Sequence, residues 1–189
     1  MTEPALEREC HCVLHEPPPS TAEWTAGDRK LVADVQDHGW HVVKVVDPDA
    51  DSPWWAFTAG LWHSYGVLKL TMAGLLPGDM HTWLNVLGER ARDGEGVVDE
   101  GSLVEGVLEG YALRARRVAA AWYRPLFGSA LWFAQKPPLP MAQLVWPDRT
   151  GRYPEDPGCG ERSSTDQPRL WLQPEEHPPG LWRSWGLEG

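Results

Sequence analysis

The run "CHCVLH" at residues 10–15 places soft ligands for a transition metal at short spacing. Thiolate and imidazole groups bind zinc and copper ions, so a metal site could use Cys10, Cys12 and His15, with Cys159 as a distant fourth ligand. Against this, Cys-x-Cys is not the usual zinc-knuckle spacing, and the sequence has no second Cys/His pair of that kind. The alternative interpretation is a tail with incidental thiols.

Three titratable residues are candidates for catalysis: His41, His63 and Asp148. The chain has no Gly-x-Ser-x-Gly, no glycine-rich phosphate loop and no paired zinc motif on a helix. The only argument for His63 is that polar residues adjoin it in the sequence, whereas His41 could approach Thr58 across a predicted hairpin. The alternative is that these are polar core or surface groups. The residues therefore do not decide whether the protein is an enzyme, and they assign no cofactor.

Tryptophan is the second unusual feature, with 12 residues in 189. An indole is rarely buried completely because its N–H needs an acceptor. We expect some of the tryptophans to lie in the core. Because complete burial is rare, others could line a cleft for a flat ligand or contact a partner. The predicted ligand-binding residues combine these indoles with neutral polar groups: Trp54, Thr58, Trp62, Asn85, Gln143 and Trp146.

Composition narrows the class of protein. The net charge of −10 disfavours nucleic acid as a partner, because most of the surface would repel a polyanion. The sequence shows neither a basic and apolar secretory signal nor a membrane-length apolar stretch. Three cysteines without a disulfide framework suit a reducing cytoplasm. We expect a cytoplasmic protein of ordinary globular composition.

The elements that must position these residues follow an α+β pattern. A helix is predicted from Asp28 to residue 36 or 37, a hairpin over residues 40–59, and strands over residues 67–73, 111–119 and 141–146. A further helix follows Asp79, with the stripe Met80, Trp83, Leu84, Leu87 and Ala91. We expect a mostly antiparallel sheet with two or three packed helices in a single domain at 21–170. Residues 1–20 are predicted to be a flexible tail, and residues 171–189 a Trp/Pro-rich tail.

Four segments resemble the bacterial domain-of-unknown-function family number 4262: "HGWHVVKV" at 38–45, "FTAGL" at 57–61, residues 71–94, and "AQLVWPDRTGRYP" at 142–154. The resemblance covers roughly residues 28–170 and implies an α+β bacterial domain without an established activity. After the Gly-Leu turn this family usually has a His-Pro-Glu-Leu-like segment, whereas residues 65–70 here read "YGVLKL". An activity carried by that His and Glu in relatives would be lost here or would use other residues.

Three functional hypotheses remain open. The first is a small-molecule-binding domain with a tryptophan-lined cleft, which could be an accessory or biosynthetic enzyme. The second is a protein-interaction or immunity-type partner, for which the acidic surface and the C-terminal "GLWRSWGLEG" argue. The third is the metal-dependent enzyme that uses Cys10, Cys12 and His15. No membrane partner is expected.

Overall fold

The antiparallel hairpin predicted over residues 40–59 is present, with β1 at His41–Val45 and β2 at Trp55–Ala59. The structure is a computed structural model that describes residues 9–18, 20–46, 53–95 and 98–188. Most of the predicted turn between the two strands lies outside the described residues. Side chains alternate along β2: Ala56 and Phe57 face opposite sides of the sheet and join different core clusters.

Four more strands complete one sheet: β3 (Lys69–Ala73), β4 (Leu103–Leu108), β5 (Tyr111–Arg117) and β6 (Met141–Val145). The strand order is β1-β2-β3-β6-β5-β4, so β1 and β4 form the two edges. The pair β3–β6 is parallel, and the other four pairs are antiparallel. The prediction of a mostly antiparallel α+β fold is confirmed.

The described residues contain seven α-helices, more than the two or three predicted. They are α1 (Ala26–His38), α2 (Leu61–Tyr65), α3 (Pro77–Arg92), α4 (Tyr123–Leu126), α5 (Gly128–Ala134), α6 (Glu161–Thr165) and α7 (Leu181–Glu188). Only α1 and α3 exceed eight residues. Helices of one or two turns are too short to show a readable i, i+3, i+4 stripe.

Helix α3 covers one face of the sheet. Met80, Leu84 and Leu87 of the predicted stripe are buried, and they contact inward-facing residues of the strands. Gly88 is also buried. A larger residue would not fit at this position, because its Cβ would lie 2.3 Å from the ring of Trp40. The helix begins after Leu76, so Asp79, which the prediction placed just before the helix, lies within its first turn.

The opposite face is covered by α1, α5 and the N-terminal segment. Helix α1 begins after Thr25, whose hydroxyl forms a capping box with Asp28; Asp28, the predicted start of the helix, is therefore residue N3. The apolar side of α1 packs with Cys12, Val13 and Phe133 in one cluster. This cluster fixes residues 10–15 against the sheet.

Both ends of the described chain contact the domain. Cys12 and Val13 lie in the core at the N-terminal end, and Trp182 of α7 is buried against Trp55 at the C-terminal end. Residues 1–8 and 19 of the predicted flexible tail lie outside the described residues, and the predicted boundaries stay predictions. Within the described ranges, none of the helices has both the length and the apolar character that crossing a membrane requires.

Candidate metal centre

Four soft ligand side chains converge where the N-terminal segment meets α2. One potential ligand atom from each of Cys10, Cys12, His15 and His63 lies within 4.8 Å of the other three. The sequence offered the first three as candidate ligands without favouring a metal site, and His63 was a separate candidate for catalysis. The chain folds so that His63 supplies the fourth position for which the sequence offered Cys159.

The position of His63 depends on the turn before α2. Gly60 has φ +99°, and a Cβ there would lie 2.7 Å from Val35 and 2.9 Å from the carbonyl oxygen of Gly39. Glycine is therefore required on both steric and conformational grounds. It lets the chain leave β2 and enter α2 at once, which directs His63 toward the N-terminal segment.

Backbone contacts hold the other three ligands in place. The amide of Val13 donates to the carbonyl of Phe133 at 2.9 Å, and the amides of His15 and Glu16 both donate to the carbonyl of Cys12. The indole N–H of Trp62 donates to the carbonyl of Glu9 at 3.0 Å. These hydrogen bonds hold the segment on both sides of the cysteines and do not depend on a metal ion.

The separations of His63 from the two thiols are close to those between ligand atoms around a small tetrahedral ion. Nδ1 of His63 lies 3.1 Å from Sγ of Cys12 and 3.8 Å from Sγ of Cys10. Neighbouring ligand atoms around zinc are separated by about 3.3–3.8 Å, given Zn–N and Zn–S bonds of about 2.0–2.3 Å. Nδ1 of His15 lies 2.9 Å from the carbonyl oxygen of Cys10. A donated bond of this kind leaves Nε2 of His15 to bind metal, as metal-binding histidines usually do.

The electrostatic environment of the thiols is unusual. Cys12 is 1% exposed, and burial raises the pKa of its thiol. Lys69 on β3 is 2% exposed; burial lowers its pKa to about 8, and the proximity of Cys10 and Cys12 acts in the opposite direction. A divalent ion would favour both thiolates, because a metal ligand must be deprotonated.

Cys159 does not belong to this group. Its thiol donates to the carbonyl of Arg152 at 3.3 Å, in the loop that follows β6. Asp148, a candidate for catalysis, organises the same loop: its carboxylate accepts from the amides of Thr150, Arg152 and Gly160. A hydrogen bond from the Thr150 hydroxyl, followed by these three amide bonds, holds the pKa of Asp148 far below its usual range.

The six predicted ligand-binding residues do not share one cleft wall. Thr58 and Gln143 are both 0% exposed, and Trp146 is buried. Their polar atoms bind backbone: Thr58 Oγ1 accepts from Leu70 N, Gln143 bridges Pro168 O and Leu170 N, and Trp146 donates to Ala73 O. Trp54 packs against the core beside α3, whereas Trp62 lies on α2.

Asn85, the last of the six, lies with the catalytic candidate His41 in a polar cleft between α1 and α3. His41 contacts Asp34, and Asn85 contacts Trp40 and His81. The sequence did not single out Asp34, His81 or Lys69. Asp34 and His41 are seven residues apart, and His81 and Asn85 are four apart. These spacings indicate a contact only when the bounds of the helices and strands are known.

Comparison with known proteins bears on the family alone. A search of curated proteins and a search of solved structures each give no match. The family described as "Domain of unknown function (DUF4262)" matches residues 34–160, which include His63 but not Cys10, Cys12 or His15. These residues make up more than half of the chain and contain all six strands. The chain therefore belongs to this domain-of-unknown-function family.

Proposed function

We propose that this protein binds a transition-metal ion, with Zn²⁺ as the best fit, through Cys10, Cys12, His15 and His63. The observation that carries the proposal is the convergence of four ligand atoms within 4.8 Å of one another. Two thiolates and two imidazoles in a compact arrangement are typical of zinc.

The ligand count favours a structural role. A Cys₂His₂ set fills all four tetrahedral positions, whereas a catalytic zinc keeps one position for water or substrate. The ion would join residues 10–15, which precede the family domain, to His63 within it. This proposal keeps the metal of the third hypothesis and replaces its enzymatic role with a fastening role.

Elemental analysis of the untagged, reduced protein tests the proposal directly. We expect close to one zinc per chain, and cobalt substitution should give the visible absorption of a tetrahedral thiolate site. His63→Gln and Cys12→Ser should each lower the affinity by at least about a hundredfold, because even an outer-shell change costs about 10–100-fold.

Two controls sharpen this experiment. Cys159→Ser removes a thiol outside the group, and His11→Gln removes an imidazole adjacent to both cysteines in sequence. Both variants should keep full occupancy. Metal well below one per chain after growth with added zinc, or equal occupancy in His63→Gln and His11→Gln, would refute the proposal.

The small-molecule and protein-partner hypotheses stay predictions. The protein-partner hypothesis is supported by the C-terminal helix, on which Leu181 and Leu187 are exposed beside the buried Trp182. A pull-down with and without residues 178–189 tests it, and equal recovery of partners from both would count against it.

A further inference from the structure

A polar cleft separate from the Cys/His cluster lies across the outer edge of β1. Helix α1 forms one wall and α3 the other, and the cleft has a volume of about 650 Å³. This is within the range of small-molecule sites, about 300–1,000 Å³. Because β1 is an edge strand, His41 and Lys44, on opposite faces of the strand, both border the cleft.

The cleft carries more positive charge than the rest of the protein. Three Lys/Arg residues line it against two acids, although the whole chain has a net charge of −10. Of these cations, Lys30 pairs with Asp34 and Arg92 with Asp93. Across the described ranges, no ion pair involves Lys44. Lys44 is exposed and borders the cleft, so its ammonium group is accessible to an anion from solution.

His41 is held by a carboxylate. Its Nδ1 lies 2.6 Å from Oδ2 of Asp34, which also accepts from Lys30. Burial opposes ionisation of Asp34, but the hydrogen bonds from Lys30 and His41 outweigh it and lower the pKa of the carboxyl. A charged Asp34 orients the ring so that Nδ1–H donates to it, and Nε2 remains for a ligand.

His81 is held neutral from the other wall. The Trp40 indole can only donate, and it bonds Oδ1 of Asn85 at 2.9 Å, which fixes the orientation of the amide. Nδ2 of Asn85 then lies 3.2 Å from Nδ1 of His81 and 3.4 Å from its Nε2, and we assign the nearer Nδ1 as the acceptor. A ring with Nδ1 as acceptor carries its proton on Nε2. Burial, and then the charges of Lys44, His41 and Lys30, lower the pKa of His81 and so favour the neutral ring over the imidazolium.

We propose that this cleft binds the oxyanion group of a small metabolite, a phosphate or a carboxylate, between His41, Lys44 and His81. The Lys44 ammonium and Nε2–H of His81 both donate, and an anion between them would offset the repulsion among the cationic groups. The oriented His41 adds a third donor when it is protonated. Charge-assisted hydrogen bonds of this type are the strong ones in anion sites.

Titration of the full-length, zinc-supplemented protein with inorganic phosphate, and separately with acetate, tests the proposal by imidazole NMR. Chloride at matched ionic strength is the reference. Phosphate should shift the His41 and His81 signals saturably, while the remote His11 signal stays unchanged. Response to acetate alone would identify a carboxylate ligand. If neither anion shifts the two signals beyond the chloride reference, the proposal is overturned.

Matched charge variants separate a site from general attraction. Lys44→Gln should weaken anion binding about tenfold, the effect of losing one charged hydrogen bond. Arg149→Gln removes the same charge from an exposed loop position and should leave binding unchanged. An equal effect of the two substitutions would show that only net charge matters, and this would refute the proposed site.

Discussion

At the scale of single residues, burial decides which polar groups can act on a ligand. Thr58 and Gln143 have the chemistry for binding, but their hydrogen bonds connect strands and loops within the core. His63 and Lys69 are better placed to take part in binding or chemistry, because they lie beside thiols in a partly enclosed site. A sequence supplies residue types, whereas the fold determines which polar atoms are already used.

Lys69→Met should stabilise the metal-free, reduced protein in a pH-dependent manner. The folded-state pKa of Lys69 is about 8, below its ordinary value of 10.5. Below pH 8 both the folded and the unfolded chain are protonated, and the folded state carries the full cost of a buried charge. Between pH 8 and 10.5 the folded state releases the proton first, so the wild type gains stability as pH rises.

The advantage of Lys69→Met should therefore be largest below pH 8, at roughly 3 kcal/mol, and should disappear by about pH 10.5. Urea unfolding at pH 7 and at pH 10 measures the difference in free energy of unfolding. Lys44→Met, which removes an exposed ammonium, is the control. Identical pH profiles for the two variants would contradict the role of burial.

At the scale of secondary-structure elements, the longest periodic patterns were the most predictable. The stripe on α3 identified three of its four buried residues, and the β-branched run at residues 40–46 with the turn cluster after it located the β1–β2 hairpin. Helices α2 and α4–α7 were missed or imprecise because each contains eight residues or fewer. The grouping of His63 with the two cysteines and His15 was missed for the same reason, since α2 is the helix that carries His63.

Gly60→Ala tests how strongly the turn before α2 determines the metal centre. Alanine would meet Val35 and the Gly39 carbonyl at less than 3 Å, and it would adopt a positive φ. The conformational cost alone is about 1–2 kcal/mol, and the steric conflict adds to it. We expect thermal unfolding at a lower temperature and weaker zinc binding, because His63 must move.

Gly78→Ala is the matched control for this substitution. A Cβ at Gly78 would have no heavy atom within 4 Å, and the residue lies in the first turn of α3. Alanine should therefore be neutral or stabilising by up to about 1 kcal/mol. Equal stability of Gly60→Ala and Gly78→Ala would show that the turn before α2 accommodates a side chain.

At the scale of the whole molecule, described residues on both sides of the family domain extend its core. Cys12 and Val13 pack beside α1 at one end, and α7 packs on the cluster around Trp122 at the other. A sequence interpretation based on composition treats such segments as tails, because proline, glycine and charge obscure the few buried residues. Their contacts are long-range and have no local periodic signal.

Trp182→Ala should destabilise the protein by about 3–5 kcal/mol, as expected for a buried aromatic residue. Trp182 is 4% exposed, and its ring contacts Trp55 and Trp185. Leu187→Ala, on the exposed side of the same helix, should change stability by less than about 0.5 kcal/mol. Chemical denaturation distinguishes the two, and equal effects would mean that α7 does not dock as described.

Removal of metal should loosen one region of the molecule and leave the rest folded. The four ligands connect residues 10–15 to α2, whereas β5 and β6 lie in the sheet beyond β3. Hydrogen exchange with and without a chelator should show faster exchange at the amides of Val13, His15 and Glu16, which are hydrogen-bonded in the structure. The amides that pair β5 with β6 should exchange at the same rate in both samples.

In Cys12→Ser the chelator should have no effect on either region. Uniform acceleration over the whole sheet would indicate that the ion stabilises the entire fold, and no change at Val13 would indicate that the N-terminal segment is held by packing alone.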